Sequence, residues 1–349
     1  MYEIILSFIT AFSLTYFAIP SIIHVAKVKH LCDDPNERTS HSGSVPTLGG
    51  IAIFAAVLFS IVLWTPFEIF GDLQYIICAF IIIFLIGAKD DIDPIAPSKK
   101  LIGQLLASSI LVFKSHVQLT SLYGVFGIYE IPEIVSIPLS IFTILVIINA
   151  FNLIDGINGL SGGIGALISI VLGTWFFLVD RMELAIVALS LAGAILAFLK
   201  YNFTPAKIFM GDTGALLLGV VCSILALEFI EFHQFYPDHK YAFKSVPAVA
   251  IGILILPLFD TARVFAMRVM RGKSPFYPDR THIHHLMIDL GLTHMQASAV
   301  LIGTNALFIL LAFKLHYIGT LNLLFLILAI ATTLTFLLYF SVRRKKLTQ

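Results

Sequence analysis

Four stretches of this chain gather residue types that can manage phosphate or metal chemistry. The first is Gly87-Ala88-Lys89-Asp90-Asp91-Ile92-Asp93-Pro94, with three carboxylates in four residues, followed by Lys99 and Lys100. Adjacent carboxylates can hold a hard divalent cation or accept a proton, and the lysines can meet phosphate oxygens. The ordinary alternative is a solvated turn, where Asp and Pro are common. In the second stretch, Asn149, Asn152, Asp155 and Asn158 fall at i, i+3, i+6 and i+9, with Gly156, Gly159, Gly162 and Gly163 close by. That spacing would line one helical face if the span continued, and the glycines permit close backbone approach by a ligand.

A third stretch runs from Lys200 to Gly214 and sets Asp212 at the lip of an apolar segment. Asp at a helix start is an ordinary cap, yet a helix N-terminus also attracts phosphate, so this loop could serve an anion or a metal–anion pair. The fourth holds Asp260-Thr261-Ala262-Arg263 and then Asp279-Arg280-Thr281-His282-Ile283-His284-His285. Three His in four residues could bind zinc, with His294 as the one further ligand nearby. Recognition of phosphate or sugar hydroxyls by imidazole and guanidinium ranks first, an ordinary basic loop second and zinc last. Upstream, Asp33, Asp34, Arg38 and His41 precede Val45-Pro46-Thr47-Leu48-Gly49-Gly50, whose paired glycines suit close helix packing.

What must position these residues is read from composition. Of 349 residues only 12% are charged while 58% are hydrophobic, against roughly 25% charged in a soluble domain. A net charge of +1 gives no global attraction for nucleic acid. Cys32, Cys78 and Cys222 are odd in number and lack paired spacing, so neither a disulfide framework nor a zinc ribbon is expected. Eleven apolar runs read as helices: Ile4–Val25, Leu48–Trp64, Leu73–Ala88, Leu101–Phe113, Ile134–Phe151, Leu160–Val179, Leu184–Leu199, Ala215–Phe229, Val246–Phe265, Ala297–Phe313 and Leu321–Phe340. Several fall short of the ~20 residues that cross a bilayer, so their ends must extend into flanking polar residues. The first Lys is Lys27, which makes the opening run a retained span rather than a cleaved signal.

The expected fold is therefore an all-α polytopic membrane protein of one domain with about eleven transmembrane helices. With the N-terminus outside, 17 of the 22 Lys and Arg lie on the cytoplasmic side and five outside. If Leu101–Phe113 did not cross, the split would be 11 to 11. This orientation places all four polar stretches on the cytoplasmic face and makes residues 341–349 a basic cytoplasmic tail. Residues 114–133 become an external loop, and Gln118–Pro132 has the Gly and β-prone residues of a small hairpin.

In this order the motifs resemble the polyprenyl-phosphate N-acetylhexosamine-1-phosphate transferases. That superfamily includes the muramoyl-pentapeptide translocase and the undecaprenyl-phosphate N-acetylglucosamine-1-phosphate transferases. The likeness runs from Pro46-Thr47-Leu48-Gly49-Gly50 to the His segment, which is similar to that of the N-acetylglucosamine branch. It implies that Asp212 coordinates Mg2+, with Mn2+ as an alternative ion and Asn152 as a second ligand. It further implies that Asp90 and Asp91 act on the lipid phosphate and Lys100 on the diphosphate. Asp155 would bind substrate, Gly156, Ile157, Asn158, Asn202 and Phe209 would surround the uridine, and Arg280, His282, His284 and His285 would bind the diphosphate or amino sugar.

The implied partners are a UDP-N-acetylhexosamine, undecaprenyl phosphate and the lipid bilayer of a bacterial inner membrane, a homodimer being compatible. The muramoyl translocase differs in carrying Asp where this chain has Asn158, and Lys where it has Ser42, Gly43 and Ser44. Two other readings compete. A secondary transporter or channel is suggested by Asp155, Asp212 and Asp260 near membrane depth. A CDP-alcohol phosphotransferase would need a D-G-x-x-A-R pattern that neither Asp155 nor Asp260 begins.

Overall fold

The computed structural model describes residues 2–33, 45–274 and 279–348. Asp34, Arg38 and His41, named above ahead of Val45–Gly50, lie outside these residues, as do Ser42, Gly43 and Ser44. Every apolar run becomes helical, in the order α1 (Tyr2–Val28), α2 (Gly49–Trp64), α3 (Leu73–Ile92), α4 (Pro97–Lys114), α5 (Glu133–Ile154), α6 (Leu160–Leu178), α7 (Met182–Asn202), α8 (Gly211–Phe235), α9 (Val246–Ile253), α10 (Ile255–Met270), α11 (Ile283–Asp289), α12 (His294–Lys314) and α13 (Thr320–Thr348). Two antiparallel pairs complete it: β1 (Cys32–Asp33) with β2 (Val45–Pro46), and β3 (Ser121–Val125) with β4 (Ile128–Glu130).

This is a helical, multi-pass membrane protein. Among the described residues seven helices are long and apolar enough to cross a bilayer: α1, α5, α6, α7, α8, α12 and α13. The α9–α10 pair adds an eighth if it is one span. Helices α7 and α8 form the centre, buried along most of their length, whereas α1 and α13 are largely peripheral. Outward apolar side chains such as Phe17, Phe142, Leu307 and Phe325 stay exposed, which a soluble surface would not tolerate in such number but hydrocarbon accepts. In the first part of α4 the buried stripe is small or polar, namely Gly103, Gln104, Ala107 and Ser108, while Leu101, Ile102, Leu105 and Leu106 face outward. A helix inverted in this way packs through its small residues, as expected where the surroundings are lipid.

The expected Val246–Phe265 helix is instead broken, α10 leaving α9 at 84°. Pro257 has no N–H to give to Ile253 O four residues back. The buried Asn305 of α12 takes over: its Nδ2 donates to Ile253 O (3.0 Å) and its Oδ1 accepts from Leu256 N (3.2 Å). With both freed backbone groups satisfied, the break is tolerated inside an apolar environment.

Two further boundaries differ from the sequence reading. Helix α5 ends at Ile154, so Asn149, Asn152, Asp155 and Asn158 do not share one helical face; Gly159, with φ of 77°, enters α6 from the left-handed region. Asn149 is paired instead with Gln104 of α4 (Nδ2 to Oε1, 2.8 Å). The basic residues after Phe340 continue α13 as helix through Thr348, and Lys345 Nζ donates to Leu290 O (3.0 Å) just past α11. The hairpin expected between 118 and 132 is present as β3–β4 and is fastened to the far end of α8 by Thr120 Oγ1 on Glu231 (2.6 Å) and Tyr123 OH on Ile230 O (2.5 Å).

Candidate active site

Asp212 sits in the first turn of α8, and the packing of three helix ends fixes where it lies. The segment Pro46–Gly50 runs beside Phe209 and Met210 in a short backbone ladder: Phe209 N to Pro46 O (2.8 Å), Gly49 N to Phe209 O (3.0 Å) and Gly50 N to Met210 O (2.9 Å). A Cβ on Gly50 would lie 2.1 Å from Gly214 N, and one on Gly87 2.5 Å from Thr213 Cα. Only glycine allows α2 and α3 to meet the start of α8 at backbone contact. Gly87 and Asp91 are four residues apart on α3, so the face that touches α8 also delivers Asp91 to it.

Asp91 caps α8 from outside. Its Oδ1 accepts from Asp212 N (2.7 Å), and its Oδ2 accepts from Thr213 N (3.0 Å) and Thr213 Oγ1 (2.5 Å). Met210, preceding the helix, has no side chain for this. Two of the N–H groups that a phosphate could have used at this helix start are therefore engaged by a carboxylate.

Asp90, one residue away and about 100° round the helix, is oriented differently. Its Oδ1 accepts from Ile95 N (2.8 Å), and its Oδ2 from Lys100 Nζ (3.1 Å). The same ammonium donates to Asp212 Oδ2. Lys100 thus bridges carboxylates from α3 and α8, all three side chains being mostly buried.

The loop between α5 and α6 borders this cluster. Burial raises Asp155 to about 6 against the Ser161 hydroxyl that donates to it, and the charge of nearby Asp91 adds to the rise. Gly156 lies under His284: a Cβ there would meet the imidazole Nε2 at 2.3 Å. Asn202 braces two loops, its Oδ1 accepting from Gly159 N (2.7 Å) and its Nδ2 donating to Ile208 O (3.0 Å). Asn158 donates to Thr204 Oγ1 (3.1 Å) and its carbonyl accepts from Ser298 of α12 (2.7 Å). The Ile157 side chain is in the core, leaving its backbone as the part that could meet a ligand. Phe209 is half-buried beside the 46–50 segment. Asn152 lies in the last turn of α5, three residues before Asp155.

His282, His284 and His285 open α11. Burial holds His284 down to about 3 and His285 to about 4, with neighbouring positive charge acting the same way, so both imidazoles are neutral near pH 7. They can donate or accept one hydrogen bond each but bring no formal charge to a diphosphate. The exposed Arg280 does. Among the described residues no three His, Cys, Asp or Glu side chains converge as a metal-ligating group. Sequence reasoning passed over Arg268 and Gln104, gave Asp279 no site role and gave Asp260 one only under the transporter reading. Asp279 is held down to about 2, burial opposing the Arg268 guanidinium that pairs with it at 2.9 Å. A buried charge inside an apolar helix was the one available signal.

Comparison with known proteins covers the same segments. The model of glycosyl transferase family 4 matches residues 73–230, from the start of α3 to within α8, and so takes in Asp90, Asp91, Lys100, Asp155 and Asp212. The undecaprenyl-phosphate alpha-N-acetylglucosaminyl 1-phosphate transferase of Escherichia coli K12 is 32% identical over 288 residues, 81% of this chain and 76% of the relative. Its Salmonella typhi counterpart is 32% identical over 272 residues, 76% and 71%. This chain belongs to glycosyl transferase family 4. A more distant family relative, the decaprenyl-phosphate N-acetylglucosaminephosphotransferase of Mycolicibacterium smegmatis, is 29% identical over 316 residues, 84% of this chain and 78% of the relative. The family model stops before α9, whereas the His segment beyond it packs directly on the family's α5–α6 loop through Gly156 and His284.

Proposed function

We propose that this protein transfers N-acetylhexosamine 1-phosphate, with N-acetylglucosamine the favoured sugar, from a UDP-sugar to undecaprenyl phosphate, releasing UMP. The relatives' names supply the lipid phosphate and the sugar phosphate. The observation that carries the reading is the Lys100 bridge between Asp90 and Asp212, three charges from three helices at one point. In the reaction an oxygen of the lipid phosphate bonds to the β-phosphorus of the nucleotide sugar. The bond from that phosphorus to the oxygen shared with the α-phosphate breaks, and the electron pair leaves on UMP.

Two anions must approach, so the site has to compensate charge. Lys100 can turn its ammonium from carboxylate to phosphate oxygens as substrate enters. Asp90 orients the lipid phosphate or takes its proton; with a second pKa of roughly 6, by analogy with phosphoserine, that phosphate is largely dianionic near neutrality, so the proton transfer is a modest part of the work. Asp91 holds the start of α8, and with it Asp212. The carboxylates of Asp90 and Asp212 already face one cation, and their hard oxygens suit Mg2+, which keeps water and substrate phosphates as its other ligands. Bound there, the ion would neutralise the diphosphate and stabilise the departing UMP. Arg280 and the neutral His284 and His285 contact diphosphate oxygens or sugar hydroxyls, and the 156–159 loop, held by Asn202, receives the uridine side.

The same reading places the protein in a bacterial inner membrane with eleven crossings, α9–α10 forming a broken one, the N-terminus outside and the site at the cytoplasmic face. Support comes from the Lys and Arg distribution and from α8, whose 25 residues span about 37 Å, enough to put Asp212 and the β3–β4 hairpin at opposite membrane surfaces. Purified protein incubated with undecaprenyl phosphate, Mg2+ and a panel of UDP-N-acetylhexosamines tests the activity. UMP release with UDP-N-acetylglucosamine is expected, and no release across the panel overturns the proposal.

A further inference from the structure

Helix α10 is carried by the break at Leu254 to the His segment, and its Asp260 is 1% exposed. A carboxylate so deeply placed persists only if its oxygens are satisfied. Asp260 Oδ2 contacts His282 Nδ1 (2.9 Å), while its Oδ1 accepts from Arg263 Nη2 (2.6 Å) and from Ile283 N (3.1 Å). Arg263 Nη2 donates in addition to Thr281 O (2.6 Å). The residues on either side of His282 are therefore tied to α10, one through Arg263 and one through Asp260, and the His282 ring is tied to the same carboxylate. Further out, Arg268 Nε and Nη2 grip Asp279 at 3.2 and 2.9 Å, pinning the approach to the segment. A carboxylate that accepts from Nδ1 places the proton there and leaves Nε2 as the nitrogen that can meet a ligand.

We infer that Asp260 is a positioning residue for His282, fixing its tautomer and orientation so that Nε2 is presented to the diphosphate or amino sugar of the donor. The inference rests on the transferase reading for its ligand, but not for the coupling itself. His282 faces Asp260 and Arg263 from α10 and stacks on His284 at 5.7 Å, with His285 and Arg280 adjoining. Of these only Asp260 is a carboxylate, and its Oδ2 is the oxygen that meets Nδ1.

Asp260→Asn keeps an oxygen acceptor of the same shape and removes the charge. In 15N-imidazole NMR of the detergent-solubilised protein, with His282 assigned by His282→Gln, wild type is expected to show the Nδ1–H tautomer, and Asp260→Asn to move the ring towards a mixture of tautomers. UMP release by Asp260→Asn is expected to fall about tenfold or more in kcat/KM, and to fall far less when the substitution is made on His282→Gln. An Nε2–H tautomer in the wild-type protein, an unchanged tautomer in Asp260→Asn, or an equal loss in both backgrounds overturns the inference. The wild-type tautomer needs no variant to fold. If no donor gives UMP, the transferase reading fails while the tautomer still decides the coupling.

Discussion

Asp90 and Asp91 are neighbours in sequence but not in duty, because a helix turns about 100° between them. Asp91 spends both oxygens on the start of α8, whereas Asp90 looks across Lys100 at Asp212. We expect Asp90→Asn to lower kcat by about 10²–10⁴ with little change in thermal unfolding, the mark of a group used in the reaction. Asp91→Ala should instead cost about 1 kcal/mol as a lost cap and weaken activity by letting Asp212 drift, so its unfolding temperature in detergent drops together with UMP release. The histidines give a pH signature. His284 and His285 stay neutral in the fold down to about 3 and 4, while the unfolded chain protonates them below roughly 6.5. Their stabilising contribution is complete above that pH and is lost as pH falls through the window towards 4 and 3. Asp155 runs the other way, its contribution being present at low pH and lost as pH rises through about 6. Unfolding temperatures at pH 7.5 and 5 should therefore diverge less in His285→Gln than in wild type.

At the scale of elements, the informative features are where helices stop. Seen as sequence, Gly49-Gly50 and Met210-Gly211-Asp212 are two unrelated motifs; in the fold they are two sides of one backbone ladder, with Gly87 as the third wall. Replacing Gly50 with Ala puts a carbon 2.1 Å from the Gly214 nitrogen, so α8 must shift, and activity should fall even where the protein still folds. The α9–α10 break was legible only in part. Pro257 inside an apolar run hinted at it, but the partner that makes it tolerable, Asn305, is 48 residues downstream in another apolar run and reads there as an isolated polar residue. Asn305→Ala would leave Ile253 O and Leu256 N buried without partners, at about 1–3 kcal/mol for each group. The expected result is a clear fall in unfolding temperature and a weakened His segment, read as loss of the Nδ1-protonated His282 signal.

For the whole molecule, the orientation can be checked by single cysteines placed at Gly127 in the hairpin and at Lys99 before α4, labelled in intact cells by a membrane-impermeant reagent. Label at position 127 and protection at 99 are expected, and the reverse would invert the proposed topology. Composition and the spacing of apolar runs determined that this chain is helical and membrane-embedded, because bilayer thickness and backbone hydrogen bonding leave few other solutions. The polar motifs, by type and order, also carried its family. What only the tertiary structure decided was which polar groups meet: that Asp91 caps and Asp90 faces Lys100, that Asn202 braces rather than stands free, and that Asp260 grips His282. Those pairings depend on helix rotation and on contacts between residues up to 122 positions apart, such as Asp91 and Thr213, which no local pattern records.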